Sequence, residues 1–413
     1  MAKPRERELD FTHSTPQRAL KLLELPPELA ELISSGNGST LYLKSGRAST
    51  SSAPSTSSDA YVNLCTTTQT YMVRQVHSSN CIYLTQPCRS TTPHQPQQPK
   101  PDAPACITTI AKCNATLELV KMDSSNAYSA FPYLQRALSV YSGTHAEEDG
   151  DVDMLGGSIG DAGLSTASTN TTAGDSVAAT VRREREREWE QRRVMRKVFA
   201  DVPLSLAECE RGWVEMCGFV HFERDFGGGG GAASAAGFRL ACWRPSAVVR
   251  VQAWKRILDG AVLQGIDVGK QFLTQDLWRG FRDGDEGDGK ESGDAGFPRS
   301  LFDALVRRLM GDPASVGLGK VCEEIKWASF DRDTTVSWVG ESYLEANAPD
   351  PTMAMDRAQF MESWKDLLPE SWRCRATWDN LKNDCHQYPD PASVCYKPRA
   401  ELKATRSGLK KHG

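Results

Sequence analysis

Hydrophobic and polar positions follow different periods in the two halves of the chain. Before residue 140, apolar residues occur in short runs that are rich in β-branched and aromatic side chains, and several runs alternate apolar with polar positions, as strands do. This pattern predicts strands at LYLK (41–44), YVNLCT (61–66), TYMVRQV (70–76), CIYLTQ (81–86), CITTIA (106–111) and TLELVKM (116–122). Six short strands separated by loops predict a small antiparallel sheet or partial β-barrel.

Two short helices are predicted ahead of these strands. PQRALKLLEL and PPELAELI each begin with proline at a plausible first helical position and space their leucines three and four apart. After residue 180 the pattern becomes helical, first from Arg182 to Phe199 and then in LSLAECERGWVEMCGFV. The second of these helices places one row of residues along a single face: Leu206, Cys209, Trp213, Met216 and Cys217.

A hairpin is predicted after the second helix, from FVHFE (219–223) and FRLACW (238–243) on either side of a glycine-rich loop. Helix, helix, hairpin is the layout of a winged helix. The succession recurs where FPRSLFDALVRRLM and GLGKVCEEIKWASF lead to the strand-like TTVSWVG. It recurs again where AMDRAQFMESWKDLLP and TWDNLKNDC precede the strand SVCYKP. Four tryptophans fall in predicted amphipathic helices and are expected in the core: Trp213, Trp254, Trp327 and Trp364.

Composition divides the chain further. Several segments are rich in Gly, Ser, Thr, Pro or acidic residues and cannot bury enough apolar surface to offset the entropy of ordering, so we predict disorder there. The predicted fold class is α+β, an antiparallel β domain followed by tandem winged-helix-like modules. The predicted domains are a β-rich partner-binding domain (1–140) with disordered inserts near 45–59 and 86–105, an acidic linker (141–180), a first winged-helix-like module (181–281), an acidic insert (282–296), a second module (297–345), a third, incomplete module (346–398) and a basic tail (399–413).

Charge and cysteine content restrict the class of protein. The net charge of −4 is too small for the whole molecule to be attracted to nucleic acid or an anionic membrane. The opening MAKPRERELDF is charged where a signal peptide is apolar, and no run has the roughly 18 apolar residues of a membrane span. We therefore expect an intracellular protein with no membrane partner and reduced thiols. The spacing of Cys374, Cys385, His386 and Cys395 does not match a zinc site, so no metal or cofactor is predicted.

Motifs for catalysis are incomplete. GDPASVGLGKV (311–321) has Val321 after Lys320, where a phosphate-binding loop needs a metal-binding hydroxyl, and Ala314 replaces its earlier glycine. The Gly-x-Ser-x-Gly match GGSIG (156–160) lies in the predicted acidic linker and not between a strand and a helix, so it is no nucleophile elbow, and no His-Glu-x-x-His motif occurs. The sequence therefore predicts a protein that is not an enzyme and has no catalytic residues.

Two basic segments are candidates for contact with nucleic acid. The run RREREREWEQRRVMRK (182–197) carries eight basic and four acidic residues. The acidic residues all precede Gln191, so no acidic residue balances the basic residues at the C-terminal end of the run. A solvated helix with intrahelical ion pairs is the alternative interpretation. The tail is the second segment, and it can equally serve as a localisation signal or a solubilising extension. The candidate phosphate contacts are Arg192, Arg193, Arg196, Lys197, Lys403, Arg406, Lys410 and Lys411.

The segment Leu64–Leu84, LCTTTQTYMVRQVHSSNCIYL, resembles the signature of the Dcc family of sister chromatid cohesion proteins. Gln69 stands where lysine is usual in that family. LKLLELPPELAELI resembles the family's leucine-rich opening, and FMESWKDLLPESW followed by WDNLKNDC resembles its Trp-x-x-x-Leu-Pro-Glu pattern. The residues that match the signature, and that the resemblance assigns to a partner interface or to the core, are Leu64, Cys65, Thr66, Thr70, Tyr71, Arg74, Gln75, Val76, Ser79 and Asn80.

The resemblance implies a non-catalytic scaffold subunit of the alternative, Ctf-type clamp loader, which acts in DNA replication and sister chromatid cohesion in the nucleus. Its implied partners are the large Ctf-type ATPase subunit and the small Ctf-type subunit, which share a β-barrel with it. The sliding clamp, the leading-strand polymerase and DNA are further implied contacts. Two alternatives remain open from the residues: a self-sufficient β domain, and an independent winged-helix DNA-binding transcription or chromatin factor.

Members of this family continue into a further basic winged helix, whereas no core pattern follows Lys397 here. The DNA binding assigned to that module is therefore not carried over.

Overall fold

The structure is a computed structural model, and it describes most of the chain between residues 10 and 398. The basic tail 399–413 lies outside the described residues, as do the greater parts of the predicted inserts 45–59, 86–105 and 282–296 and of the predicted linker 141–180. The described residues are 10–36, 38, 40–47, 60–89, 105–122, 129–143, 173–224, 238–283, 296–311, 319–381 and 385–398.

The chain folds into two compact units. The first consists of Met1–Ser124 with Pro203–Ser205, and the second of Ser125–Val202 with Leu206–Gly413. Strands dominate the first unit and helices the second, so the α+β class predicted from the sequence is confirmed.

A six-stranded sheet and one helix make up the described part of the first unit. Their bounds are β1 (Asp10–His13), β2 (Leu22–Glu24), α1 (Pro27–Ser34), β3 (Tyr42–Arg47), β4 (Ala60–Cys65), β5 (Thr70–Arg89) and β6 (Ala105–Lys121). The strand order is β1-β6-β5-β4-β3, and β2 also pairs with β6. Strands β3 to β6 are antiparallel, as predicted, but β1 and β2 pair with β6 in parallel. The sheet does not close into a barrel, because no pairing joins β3 to β1 or β2 in the described part of the chain.

Two long strands replace four of the predicted short ones. Strand β5 includes both TYMVRQV and CIYLTQ, and β6 includes CITTIA and all of TLELVKM except Met122. The polar residues between the first two runs cause only a register shift between His77 and Ile82, so the pairing continues beyond them. Pairing also continues into the predicted insert 86–105, where Gln86–Arg89 lie opposite Ala105–Thr108.

The prediction of a helix at PQRALKLLEL is wrong. Leu22–Glu24 form β2, which pairs with Thr116–Glu118. Strand β6 offers an open backbone edge at this point, and pairing with it outweighs the helix propensity of a short leucine-rich segment. The second predicted helix, PPELAELI, is confirmed as α1, with proline at its start.

Helices and very short strands alternate in the second unit. Their bounds are α2 (Phe131–Ala137), β7 (Ser139–Tyr141), α3 (Ala173–Ala200), α4 (Leu206–Glu215), β8 (Phe219–Arg224), β9 (Phe238–Pro245), α5 (Ala247–Leu263), β10 (Phe272–Leu273), α6 (Thr274–Asp283), α7 (Arg299–Leu309), β11 (Trp327–Ala328), α8 (Arg332–Asn347), β12 (Met355–Asp356), α9 (Arg357–Asp366), β13 (His386–Gln387) and β14 (Ser393–Tyr396). Among these described helices, none combines the length and apolarity that crossing a membrane requires.

The order helix, short strand, helix, helix, strand occurs three times along the second unit. The first copy begins at α2 and ends with the hairpin β8–β9, the second runs from α5 to β11, and the third runs from α8 to β14, with the 3₁₀ segment Glu370–Arg375 in the place of its third helix. The first and third copies begin one helix and one strand before the corresponding predicted modules, and the second begins two helices and one strand before its predicted module. Strands of two or three residues have no period that a sequence pattern can reveal, so β7, β10 and β12 were not predicted.

The segment TTVSWVG, predicted as a strand, lies in helix α8. The Asp331 carboxylate caps this helix by accepting a hydrogen bond of 2.8 Å from the Thr334 amide. Val336 and Trp338 are buried from the same helix. The cap and the buried face together outweigh the preference of β-branched residues for strands. TWDNLKNDC, predicted as a helix, forms only the 3₁₀ turn Trp378–Asn380 in its described part.

Three of the four tryptophans predicted in the core lie there. Trp213, Trp254 and Trp364 are 3%, 1% and 0% exposed. The prediction for Trp327 is wrong, because its side chain is 53% exposed. Trp327 belongs to strand β11 rather than to a helix, and successive residues of a strand point to opposite sides, so Ala328 is buried in its place.

Candidate partner-binding surface

The signature segment forms the hairpin between β4 and β5. Thr66 and Gln69 close the turn, with a hydrogen bond of 2.9 Å from the Thr66 amide to the Gln69 carbonyl and one of 2.9 Å from the Gln69 amide to the Thr66 hydroxyl. The Gln69 side chain donates to the carbonyl of Met122 at 2.9 Å. This side chain, which stands where the family has lysine, therefore ties the turn to the end of β6.

One face of the sheet is covered by helix α1. Leu29 of the helix packs with Leu64 and Tyr71, which lie opposite each other on β4 and β5. Burial raises the pKa of the Tyr71 phenol, and the charge of Glu28 raises it further. These signature residues therefore form a small core of the first unit, and their aromatic and aliphatic side chains are not available to a partner.

The other face of the sheet holds a segment from much later in the chain, Pro203–Ser205, which we call the returning segment. The Asn63 side chain donates to the Pro203 carbonyl at 2.7 Å, and the Lys44 ammonium donates to the Leu204 carbonyl at 2.8 Å. The Ser205 amide donates to the Thr70 hydroxyl at 2.7 Å. Asn63, Thr70 and Ser205 are at most 1% exposed, so these bonds are shielded from water.

We expect Thr70→Val to loosen the returning segment. Valine keeps the shape of threonine but removes the acceptor of the Ser205 amide, and a buried donor that loses its acceptor costs about 1–3 kcal/mol. Hydrogen exchange at the Ser205 amide should become roughly tenfold faster or more. Thr85→Val, at an exposed position of the same strand, is the matched control. Equal exchange in the two variants would show that the Thr70 hydroxyl does not hold the segment.

One open edge of the sheet is strand β3, which pairs only with β4 in the described part of the chain. Leu43 lies opposite Leu64, and Val62 lies two residues before Leu64, so both side chains belong to the face that α1 partly covers. They are nevertheless 72% and 41% exposed. Helix α1 thus leaves an apolar strip along the β3 edge, and we call Leu43 and Val62 the edge strip.

A second apolar area lies on the far half of the β5–β6 hairpin. Tyr83 of β5 and Phe11 of β1 are about half exposed, at 45% and 56%, and Ile82, which precedes Tyr83 and so points to the opposite face, is also 45% exposed. The Tyr83 ring lies 5.9 Å from the Lys112 ammonium and 6.4 Å from the His13 ring. Exposed apolar side chains next to an open strand edge are typical of surfaces that a partner covers.

The remaining signature residues lie on β5 beyond the small core. Arg74 forms a 2.6 Å ion pair with Glu118, and the Gln75 side chain lies 3.1 Å from the His77 ring. Both are exposed, as is Asn80, and Val76 is half-buried. The side chain of Ser79 lies outside the described residues. The signature set therefore divides: Leu64, Cys65, Thr66, Thr70 and Tyr71 are buried, and those of the later residues that the structure describes are accessible to different degrees.

The four basic residues predicted on helix α3 differ in their surroundings. Arg192 forms ion pairs with Glu323 at 3.2 Å and with Glu188 at 3.9 Å, so its guanidinium group is already paired with acidic side chains of this chain. Arg196 and Arg192 both lower the pKa of Glu210, although burial raises that pKa more. Arg193 lies over the Trp189 ring at 5.7 Å.

Lys197 is exposed, as are Arg193 and Arg196. The other four candidate phosphate contacts belong to the tail and lie outside the described residues: Lys403, Arg406, Lys410 and Lys411. Contact between α3 and nucleic acid stays a prediction, and Arg192 is the residue least available for it.

The described cysteines give little support to thiol chemistry. Burial raises the pKa of the Cys217 thiol to about 11 and that of Cys242 to about 12, so both are protonated near neutral pH. Ten described cysteines form no disulfide, but Cys106 is disulfide-bonded, so the prediction of reduced thiols is wrong for Cys106. Within the described ranges, no three His, Cys, Asp or Glu side chains converge as a metal site would require.

Sequence reasoning located the signature hairpin but missed three parts of this surface. Asn63 was not singled out, although a polar residue inside an apolar strand run is a signal that it has a buried partner. Lys44 and the returning segment were also missed. Their contacts join residues separated by more than 130 positions, and no local pattern reveals such a pairing.

Comparison with known proteins gives one match over nearly the whole chain. The sequence model of the family described as sister chromatid cohesion protein Dcc1 matches residues 20–405. No curated protein matches the chain significantly. The match includes the signature hairpin, the edge strip and the described second unit, and a role in sister chromatid cohesion follows from it. The chain therefore belongs to the family of sister chromatid cohesion protein Dcc1.

Proposed function

We propose that this chain is a non-catalytic scaffold subunit of the Ctf-type clamp-loader complex, and that its first unit binds the large ATPase subunit and the small subunit of that complex. The observation that carries the proposal is the open sheet with its exposed edge strip, Leu43 and Val62. The family match supports a role in cohesion, and the residues of the sheet supply the physical reason for assembly.

A partner strand can add to β3 because the backbone on its outer side faces no other strand of the described sheet. Such a strand would bring its own side chains over the edge strip, which removes apolar surface from water at about 25 cal/mol per Å². Further strands added at this edge would extend the open sheet toward a closed barrel, which removes unprotected edges. This arrangement favours a shared barrel over a self-sufficient β domain.

We expect the exchange Leu43→Asp to abolish assembly without unfolding the chain. Leu43 is 72% exposed, so the aspartate is solvated in the free protein, but in the complex its charge would be buried against apolar groups. Affinity for the partners should fall roughly a hundredfold or more. The measurement is copurification of the coexpressed large and small Ctf-type subunits with the tagged full chain.

The matched control is Val262→Asp, which places the same charge at an 82% exposed apolar position of helix α5 in the second unit. Circular dichroism should show that both variants are folded. If Leu43→Asp retains both partners as well as the unchanged chain does, the edge strip is not the assembly surface. If the unchanged chain copurifies with neither subunit, the scaffold function itself is wrong.

In the same proposal, the three repeated copies of the second unit are winged-helix-like modules that face the leading-strand polymerase and the sliding clamp, and the complex acts in the nucleus. The alternative, an independent winged-helix DNA-binding factor, has weaker support, because Arg192 on α3 is occupied by acidic side chains. Tight binding of the isolated full chain to one DNA sequence, with no attachment to the clamp-loader subunits, would favour that alternative.

A further inference from the structure

A cavity of about 280 Å³ lies within the second unit and is lined by three arginines. Arg244 comes from the end of β9, Arg250 from the first turn of α5 and Arg308 from the last turn of α7. Three guanidinium groups from three separate elements therefore meet at one concave site. None of them was among the candidate residues that the sequence suggested.

Two of these arginines, Arg244 and Arg308, form no ion pair with a carboxylate among the described residues. Arg308 is only 7% exposed, and its buried Nε atom has no hydrogen-bond partner. The Nε atom of Arg244 is also buried and unpartnered. Burial lowers the pKa of Arg244 and the charge of Arg250 lowers it further, whereas Glu345 acts in the opposite direction. Arg308 is the more deeply buried of the two, and a buried guanidinium that forms no ion pair is typical of a site that receives an anion.

The third arginine and the acidic lining residues are already engaged. Arg250 forms an ion pair with Glu345. Glu341 accepts a hydrogen bond from the Ser337 hydroxyl at 3.4 Å and has further interactions, and Glu215 is engaged elsewhere as well. Glu345 is thus shared between Arg250, with which it forms an ion pair, and the more distant Arg244, and Arg308 forms no ion pair with a carboxylate among the described residues. They also make the surroundings of the cavity unfavourable for a continuous polyanion such as DNA.

We propose that this cavity binds a single anionic group, a carboxylate or a phosphate, carried by a peptide segment of a partner protein. The walls support a peptide rather than a nucleic acid, because they include Pro245, Trp338, Pro349 and Tyr396, which pack well against an extended chain. Guanidinium forks bind carboxylate and phosphate groups in the same planar geometry, so both chemistries fit. The proposal does not rest on the proposed clamp-loader function.

The test uses the full chain and three dye-labelled sets of nine-residue degenerate peptides with a fixed central phosphoserine, glutamate or serine. Fluorescence polarisation should detect binding of the phosphoserine set, the glutamate set or both, and weaker or no binding of the serine set. Arg308→Gln and, separately, Arg244→Gln should each weaken anionic-peptide binding about tenfold, since each removes a charge-assisted hydrogen bond. The matched control, Arg279→Gln on the exposed side of α6, should bind like the unchanged chain.

A second readout distinguishes a binding role from a structural one. Because Arg308 has no counter-charge, Arg308→Met should leave the melting temperature unchanged or raise it in the absence of peptide. The proposal is overturned if all variants bind the anionic sets equally, or if the serine set binds as well as the anionic sets. It is also overturned if Arg308→Gln weakens the binding of duplex DNA while peptide binding is unaffected. Preference for phosphoserine over glutamate, or the reverse, identifies the natural anion.

Discussion

Trp364→Ala is expected to lower the free energy of unfolding of the second unit by about 3–5 kcal/mol, the usual cost of removing a fully buried tryptophan. Trp364 is 0% exposed, and its indole N–H donates to the Val336 carbonyl at 3.0 Å. Its ring also fills the space beside Gly340, where an added Cβ would lie 2.6 Å from the indole. The variant therefore creates a cavity and removes the indole N–H that donates to the buried Val336 carbonyl.

Urea unfolding followed by tryptophan fluorescence measures this effect selectively, because all ten tryptophans belong to the second unit. Trp327→Ala is the control, since Trp327 is 53% exposed and its loss should change stability by only about 0.5 kcal/mol. The two residues were predicted alike from the sequence. Equal destabilisation by both exchanges would contradict the placement of Trp327 in an exposed strand.

Gly260→Ala should destabilise the second unit by about 3 kcal/mol, at the upper end of the usual cost of overpacking. Gly260 of α5 meets Gly280 of α6, and an added Cβ would lie 2.7 Å from the carbonyl carbon of Gly280. If the neighbouring atom belonged to a side chain, that side chain could change its rotamer to make room for the new Cβ. The backbone of α6 cannot move in this way, so the two helices must separate. The better helix propensity of alanine recovers only about 1 kcal/mol.

The control for this exchange is Val262→Ala, two residues further along the same helix. Val262 is 82% exposed, so its truncation should alter the free energy of unfolding by about 0.5 kcal/mol at most. Thermal unfolding of both variants measures the difference. A Gly260→Ala protein as stable as the unchanged chain would mean that α5 and α6 do not touch through their backbones.

Local pattern was sufficient for elements that are long and bury one face. The β4–β5 hairpin, helix α1 and the β8–β9 hairpin were all predicted in their correct type. Local pattern failed where distant parts of the chain decide the conformation. Strand β2 needs the edge of β6, and helix α8 combines a capping aspartate with β-branched residues that by themselves favour a strand.

The candidate surface was predictable in location but not in arrangement. The signature motif correctly indicated the important hairpin, yet about half of its residues serve the small core rather than an interface. The edge strip depends on how far α1 reaches across the sheet, which no spacing of residues indicates. The arginine cavity could not be predicted from the sequence. Arg244, Arg250 and Arg308 lie on three separate elements, and only the tertiary fold brings them together.

The returning segment also determines when the first unit can be completed during protein synthesis. Strand β6 ends at Lys121, but Pro203–Ser205 leave the ribosome roughly 80 residues later, which takes roughly 4 to 16 seconds at 5–20 residues per second. Throughout this interval Asn63 and Thr70 lack the backbone groups that they bind in the finished protein. The first part of the chain to be made is thus among the later parts to reach its final form.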